Sequence, residues 1–223
     1  MSFPIMHLCV AYKAGLSRFN NRQDFADYIL GSLAPDAVHY RNLNDNAFEY
    51  TSNLGAAKKI THLCGSINQS WGQIADNDDW NRLIHEFLIK NNDPFSIGYA
   101  AHVFTDLYNN TSLWRWFREN YPDRLKQGYN SEYYDDFRKL DLKLYQEYEH
   151  INNILDLLSI SIAKEMPNLV SKDEVLAIRH NILEVSYKNK PKPDVSSNAF
   201  FTFEKIMEFL ENAVLYVKNE LAI

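Results

Sequence analysis

The chain has 223 residues, of which 46% are hydrophobic and 14% aromatic, and carries a net charge of −6. That length and apolar content exclude a disordered or fibrous chain and suit a single packed domain over 1–223. The acidic balance argues against long nucleic acid or an anionic membrane as partner, while a local cation site could still attract a phosphate.

The opening MSFPIMHLCVAYKAGLSRF lacks a basic leader followed by a long apolar run, so no signal peptide is expected. No stretch approaches the roughly twenty apolar residues of a membrane span. Cys9 and Cys64 are the only cysteines and do not suggest a disulfide framework. The expectation is a soluble cytoplasmic protein without stable membrane insertion; nothing in the sequence fixes an oligomeric state.

Strict alternation of apolar and polar residues is scarce, and helical spacing dominates. Helices are expected over about 22–33, 55–64, 79–91, 95–109, 112–119, 172–186 and 199–220, with Pro35, Pro94 and Pro122 at or between them. Asp93-Pro94 makes a turn into the 95–109 helix. The acidic run ADNDDW at 75–80 lacks the EF-hand pattern and reads as a turn and N-cap. Phe137, Leu140, Leu144, Tyr148, Ile151, Leu155, Leu158 and Ile162 form one stripe, predicting a single long helix capped at Ser131 and ending before Pro167. The segment SYKNKPKPDVSSN at 186–198 reads as a loop. The fold class is therefore all-α.

Within SIGYAAHVFTDLYNN, at 96–110, His102 and Asp106 interrupt an otherwise apolar helix. Residues four apart share a helix face, so the two can converge on one point. A neutral imidazole and a carboxylate both suit Zn²⁺ or another first-row divalent ion; a simple His–Asp hydrogen bond is the other reading. His7 in PIMHLCVAY and His62 in KKITHLCGS stand in short apolar settings where an unpaired imidazole is costly. Asp36 follows LGSLAP, where Pro35 ends the preceding helix and presents the carboxylate. Together these five residues suffice for two adjacent ions sharing a bridging carboxylate.

The ordered series of an early His, LGSLAPD, KKITHLC and FSIGYAAHVFTD resembles the zinc-dependent phospholipase C family, the wider relatives of bacterial phospholipase C and the S1/P1 nucleases. The resemblance covers about the first half of the chain. It implies a multi-helix phospholipase C/P1 nuclease-like bundle that hydrolyses a phosphomonoester or phosphodiester. It further implies that Asp36, His62, His102 and Asp106 hold one ion and that Asp106 bridges to a second held also by His7. The ions would be zinc, with manganese or iron as alternatives, and Asp36 would orient the attacking water or take its proton.

Members of that family use a processed N-terminal residue as a ligand, whereas six residues precede His7 here. They also carry a further His after the His-x-x-x-Asp helix, where this chain has Asn109, Asn110, Thr111 and Ser112. His180 and Glu184, again four apart, match a comparable family pair and are candidates for a third ion. The expected partner is a small phosphoester.

His39 stands close enough to Asp36 to serve as a ligand or to orient one. Cys9 and Cys64 lie two residues after His7 and His62, a spacing that diverges on a helix, and read as small buried hydrophobes. Trp114, Trp116 and Phe117 read as core packing, with a cleft wall as the other reading. A competing function is a non-catalytic helical protein whose metal cluster serves stability or partner binding. A helical phosphohydrolase of the HD type needs a His-Asp dipeptide, which this chain lacks.

Overall fold

The computed structural model describes residues 3–41, 55–75, 77–125 and 131–222, and within them the chain is all-α, with one isolated bridge between Met166 and Val170 and no strand. In chain order come α1 (Pro4–Gly15), α2 (Arg22–Gly31), a 3₁₀ turn (Ala34–Tyr40), α3 (Gly55–Thr61), α4 (Asn77–Lys90) and α5 (Pro94–Thr111). There follow α6 (Leu113–Asn120), α7 (Glu132–Glu147), α8 (Ile151–Ile160), α9 (Lys172–His180) with a π turn over Asn181–Val185, and α10 (Phe203–Leu221). The buried apolar side chains join in one continuous core.

Local chemistry sets most of the helix starts. The Asp93 side chain accepts from Ser96 N–H at 3.3 Å, and Pro94 occupies the first helical position of α5, where its missing N–H is no loss. Ser171 and Glu174 form a reciprocal capping box at α9. Asn21 and Thr202 cap α2 and α10. The residue before α4, Asp76, within the expected cap segment, lies outside the described residues.

Helix α1 was not among the expected helices. Ile5 through Tyr12 are all buried, so the segment is apolar on every side and shows no amphipathic period. Its N-terminus receives help from elsewhere: Met6 N–H donates to Asp141 Oδ1 of α7 at 3.1 Å, and Tyr187 O–H donates to Asp141 Oδ2. Burial pushes the Asp141 carboxyl up to about 7, against the pull of those donors.

The expected long helix over 137–162 is two helices. Tyr148 is extended, with φ −70° and ψ 126°, so α7 stops at Glu147 and α8 begins at Ile151. The apolar spacing runs unbroken across the bend because Tyr148 and Ile151 are both core residues, which hides the corner from a periodicity reading. Ile162 falls past the end of α8 and is exposed. Likewise α10 starts at Phe203 rather than near 199. The Asp136 carboxylate of α7 takes the N–H groups of Ala199, Phe200 and Phe201 at 2.7–3.1 Å and holds them outside the helix.

Helix α5 runs through the middle of the molecule, against α1, α2, α4, α6 and α10. Its crossing with α2 is a backbone-to-backbone contact at two glycines. A Cβ on Gly98 would sit 2.0 Å from the Tyr28 carbonyl oxygen, and one on Gly31 would sit 2.0 Å from that of Phe95. Neither neighbour is a side chain that could swing aside. Gly98→Ala should therefore destabilise the protein by about 3 kcal/mol or more, read from urea midpoints. Gly55→Ala, where a Cβ meets nothing within 4 Å, is the matched control and should change stability little.

Candidate metal centre

Four elements deliver five polar side chains to one buried place. Helix α1 supplies His7, the 3₁₀ turn Asp36, the residue after α3 His62, and α5 both His102 and Asp106; each is at most 9% exposed. They divide into two overlapping groups, His7–His102–Asp106 and Asp36–His62–His102, in each of which the candidate donor atoms lie within 4.8 Å of one another. Asp106 spans the two: Oδ1 is 3.5 Å from His7 Nε2, and Oδ2 is 3.4 Å from His62 Nε2. The His7 ring stacks on that of His102 with centroids 3.6 Å apart.

The proton positions follow from the neighbours. His102 Nδ1 is 2.8 Å from the Ser32 carbonyl oxygen, and His62 Nδ1 is 2.9 Å from that of Lys58. A carbonyl only accepts, so each Nδ1 carries the proton and each Nε2 presents a lone pair. Those two Nε2 atoms face each other at 3.2 Å. Two lone pairs at that distance repel unless a positive centre lies between or beside them. His7 has neither ring nitrogen in a hydrogen bond although it is buried. These orphaned nitrogens and the adjacent carboxylates fit a divalent cation; a single imidazole lone pair cannot serve two ions, whereas the two Asp106 oxygens can.

Electrostatics fix the same protonation state. Burial alone would raise the Asp36 carboxyl, but Lys58 above all, then His102, His39 and His62, hold it well below the carboxylate range. Burial opposes Asp106 too, yet its carboxyl is held well below the usual carboxylate range, in part by its interaction with His7. Burial and the Lys58 charge push His62 down to about 4, and burial with His7 lowers His102. Two carboxylates and two neutral imidazoles at neutral pH are the forms that bind metal.

Lys58 is a member that the sequence reading missed. Its Nζ lies 2.9 Å from Asp36 Oδ1, with both side chains nearly buried, and 5.4 Å from the ring centre of Trp71. Its only signal in the sequence is a place four residues before His62. His39 stands behind Asp36, Nε2 to Oδ1 3.7 Å. Trp71 also meets the His62 ring edge-on and, with Trp80, Trp114 and Asn110, walls a narrow cleft of about 20 Å³ that reaches Asp106. Trp80 and Trp114 are fixed there by donating Nε1–H to the carbonyls of His62 and Gly72, each at 2.7 Å.

His180 and Glu184 belong to neither group. Both are exposed, and Glu184 pairs with Lys188. The inward face of this segment is Val175, Ile178 and Ile182, and residues 180 and 184 fall on the other side. Cys9 and Cys64 are buried free thiols outside both groups, and burial pushes Cys64 up to about 12. Compared with family models, curated proteins and solved structures, the chain matches none. The reading of the centre therefore rests on its own atoms.

In metal-free protein the unfolded chain protonates His62 and His102 where the fold keeps them neutral, so it binds more protons and stability rises with pH. That gain should run from about 4 to the ordinary imidazole value of 6.5 and then stop. Urea midpoints across this range should rise more steeply for wild type than for His62→Gln/His102→Gln. Asp141, whose raised carboxyl acts in the opposite sense, contributes to both proteins.

Proposed function

We propose that the chain is a metal-dependent phosphoesterase of the phospholipase C/P1 nuclease kind, holding two zinc ions, or manganese or iron in their place. The observation that carries this reading is the gathering of five buried ligands into two sets that share His102, with the Asp106 oxygens beside His7 of one set and His62 of the other. When bound, such ions supply a water of lowered pKa and positive charge opposite the phosphoryl oxygens. His62 and His102 serve as neutral donors oriented by backbone carbonyls, and Asp106 ties the two positions together. Asp36, held ionised by Lys58, is a poor proton acceptor and is better suited to orienting the attacking water.

The narrow cleft reaches Asp106 with room for about one water, which favours a catalytic site over a fully closed structural cluster. The acidic balance of the chain favours a small soluble ester over polymeric nucleic acid. No helix among the described residues is long and apolar enough to cross a membrane, and a cytoplasmic setting completes the proposal.

Protein purified without chelator should carry about two ions per chain by elemental analysis and hydrolyse members of a phosphoester panel; less than one ion per chain refutes the reading. Asp106→Asn should lower kcat/KM on the order of 100-fold or more and reduce bound metal, with helicity by circular dichroism unchanged. His180→Ala/Glu184→Ala should retain the wild-type metal content.

A further inference from the structure

The two-ion reading leaves the second position short of ligands, and the structure points to one that completes it. Asn109 lies on α5, seven residues after His102 and three after Asp106. At about 100° per residue, the three side chains fall within about 60° of one another around the helix axis. Asn109 is 0% exposed. Its NH₂ group interacts with the Tyr133 hydroxyl oxygen, while its Oδ1 accepts no hydrogen bond. An amide oxygen buried without a donor carries an uncompensated desolvation cost.

Two more buried polar groups surround it. The Tyr133 hydroxyl of α7 is buried without a formed hydrogen bond, and it lies near enough to Asn109 and Asp106 to sense both: burial raises the phenol, Asp106 raises it further and the Asn109 amide lowers it. His7, from α1, has both ring nitrogens unsatisfied beside Asp106. Three helices thus bring buried polar side chains with unused hydrogen-bonding capacity to the neighbourhood of Asp106. Ordinary packing would have filled such a place with apolar residues or paired its members.

We propose that Asn109 gives its amide oxygen to the cation held by His7 and Asp106, with its NH₂ side turned to the Tyr133 oxygen. The inference rests on the two-ion reading and extends it to the identity of the ions. Around the first position stand two imidazole nitrogens and two carboxylate oxygens, from His62, His102, Asp36 and Asp106. The second has one nitrogen, from His7, and oxygens from Asp106 and Asn109. Oxygen-rich sites suit harder ions, so the second position selects Mn²⁺ or Mg²⁺ relative to the first, which keeps Zn²⁺. The chain is then a mixed-metal protein.

Chelator-treated wild type, Asn109→Leu and Asn109→Asp are loaded with Zn²⁺ and Mn²⁺, and metal content, calorimetric affinity and Mn²⁺ electron paramagnetic resonance are measured. Wild type should hold one Zn²⁺ and one Mn²⁺. Asn109→Leu should keep the Zn²⁺ and bind Mn²⁺ at least about tenfold more weakly. Its metal-free form should keep wild-type helicity by circular dichroism, which separates loss of a ligand from loss of the fold. Asn109→Asp adds a charge at the same place and should bind Mn²⁺ more tightly than wild type.

Two ions at wild-type affinity in Asn109→Leu would overturn the assignment while leaving the two-ion reading intact. Fewer than two ions in wild type would overturn both. Should the leucine variant fail to fold, the aspartate variant decides, and unchanged Mn²⁺ affinity there overturns the assignment.

Discussion

The contact between α2 and α5 governs both the fold and the site. With no side chain at Gly98, the α5 backbone presses against the Tyr28 carbonyl and approaches the Ser32 amide. One turn further along α5, that same approach brings the Ser32 carbonyl to His102 Nδ1 at 2.8 Å. The glycine therefore orients an imidazole it never touches. A wider crossing would release the Nδ1 proton and let the ring turn, and Nε2 would no longer face His62.

The other members are held by equally local means. His62 sits past the end of α3, after which Leu63 adopts a positive φ of 59°, and its ring is tied back to Lys58 O. Asp36 emerges from the 3₁₀ turn begun by Pro35 and meets Lys58. Lys58 does two things at once: it keeps Asp36 ionised and lies against Trp71, a wall of the cleft.

The sequence made some of this legible and concealed the rest for identifiable reasons. His102 and Asp106 stood out because they interrupt an apolar helix at a spacing that shares a face. His180 and Glu184 have that spacing too, but spacing cannot say whether the shared face looks inward; the apolar positions 175, 178 and 182 carry that information and point the other way. Helix α1 escaped notice because a segment buried on all sides has no period to detect. The corner at Tyr148 was invisible because the core continues around it. Lys58, Asp136, Asp141 and Asn109 look like ordinary polar residues until distant segments close over them.

The carboxylates of α7 also decide how the stretch between the π turn and α10 is attached. Tyr187 is moored to Asp141 at one end, and Ala199, Phe200 and Phe201 to Asp136 at the other, while the Lys- and Pro-rich residues between are mostly exposed. Scission of the covalent chain between those moorings would leave each new terminus anchored independently. Helix α10 would stay seated on α1 and α5 as a non-covalent fragment. The natural place to open the chain or to graft an insertion is therefore the exposed stretch between Lys188 and Ser197.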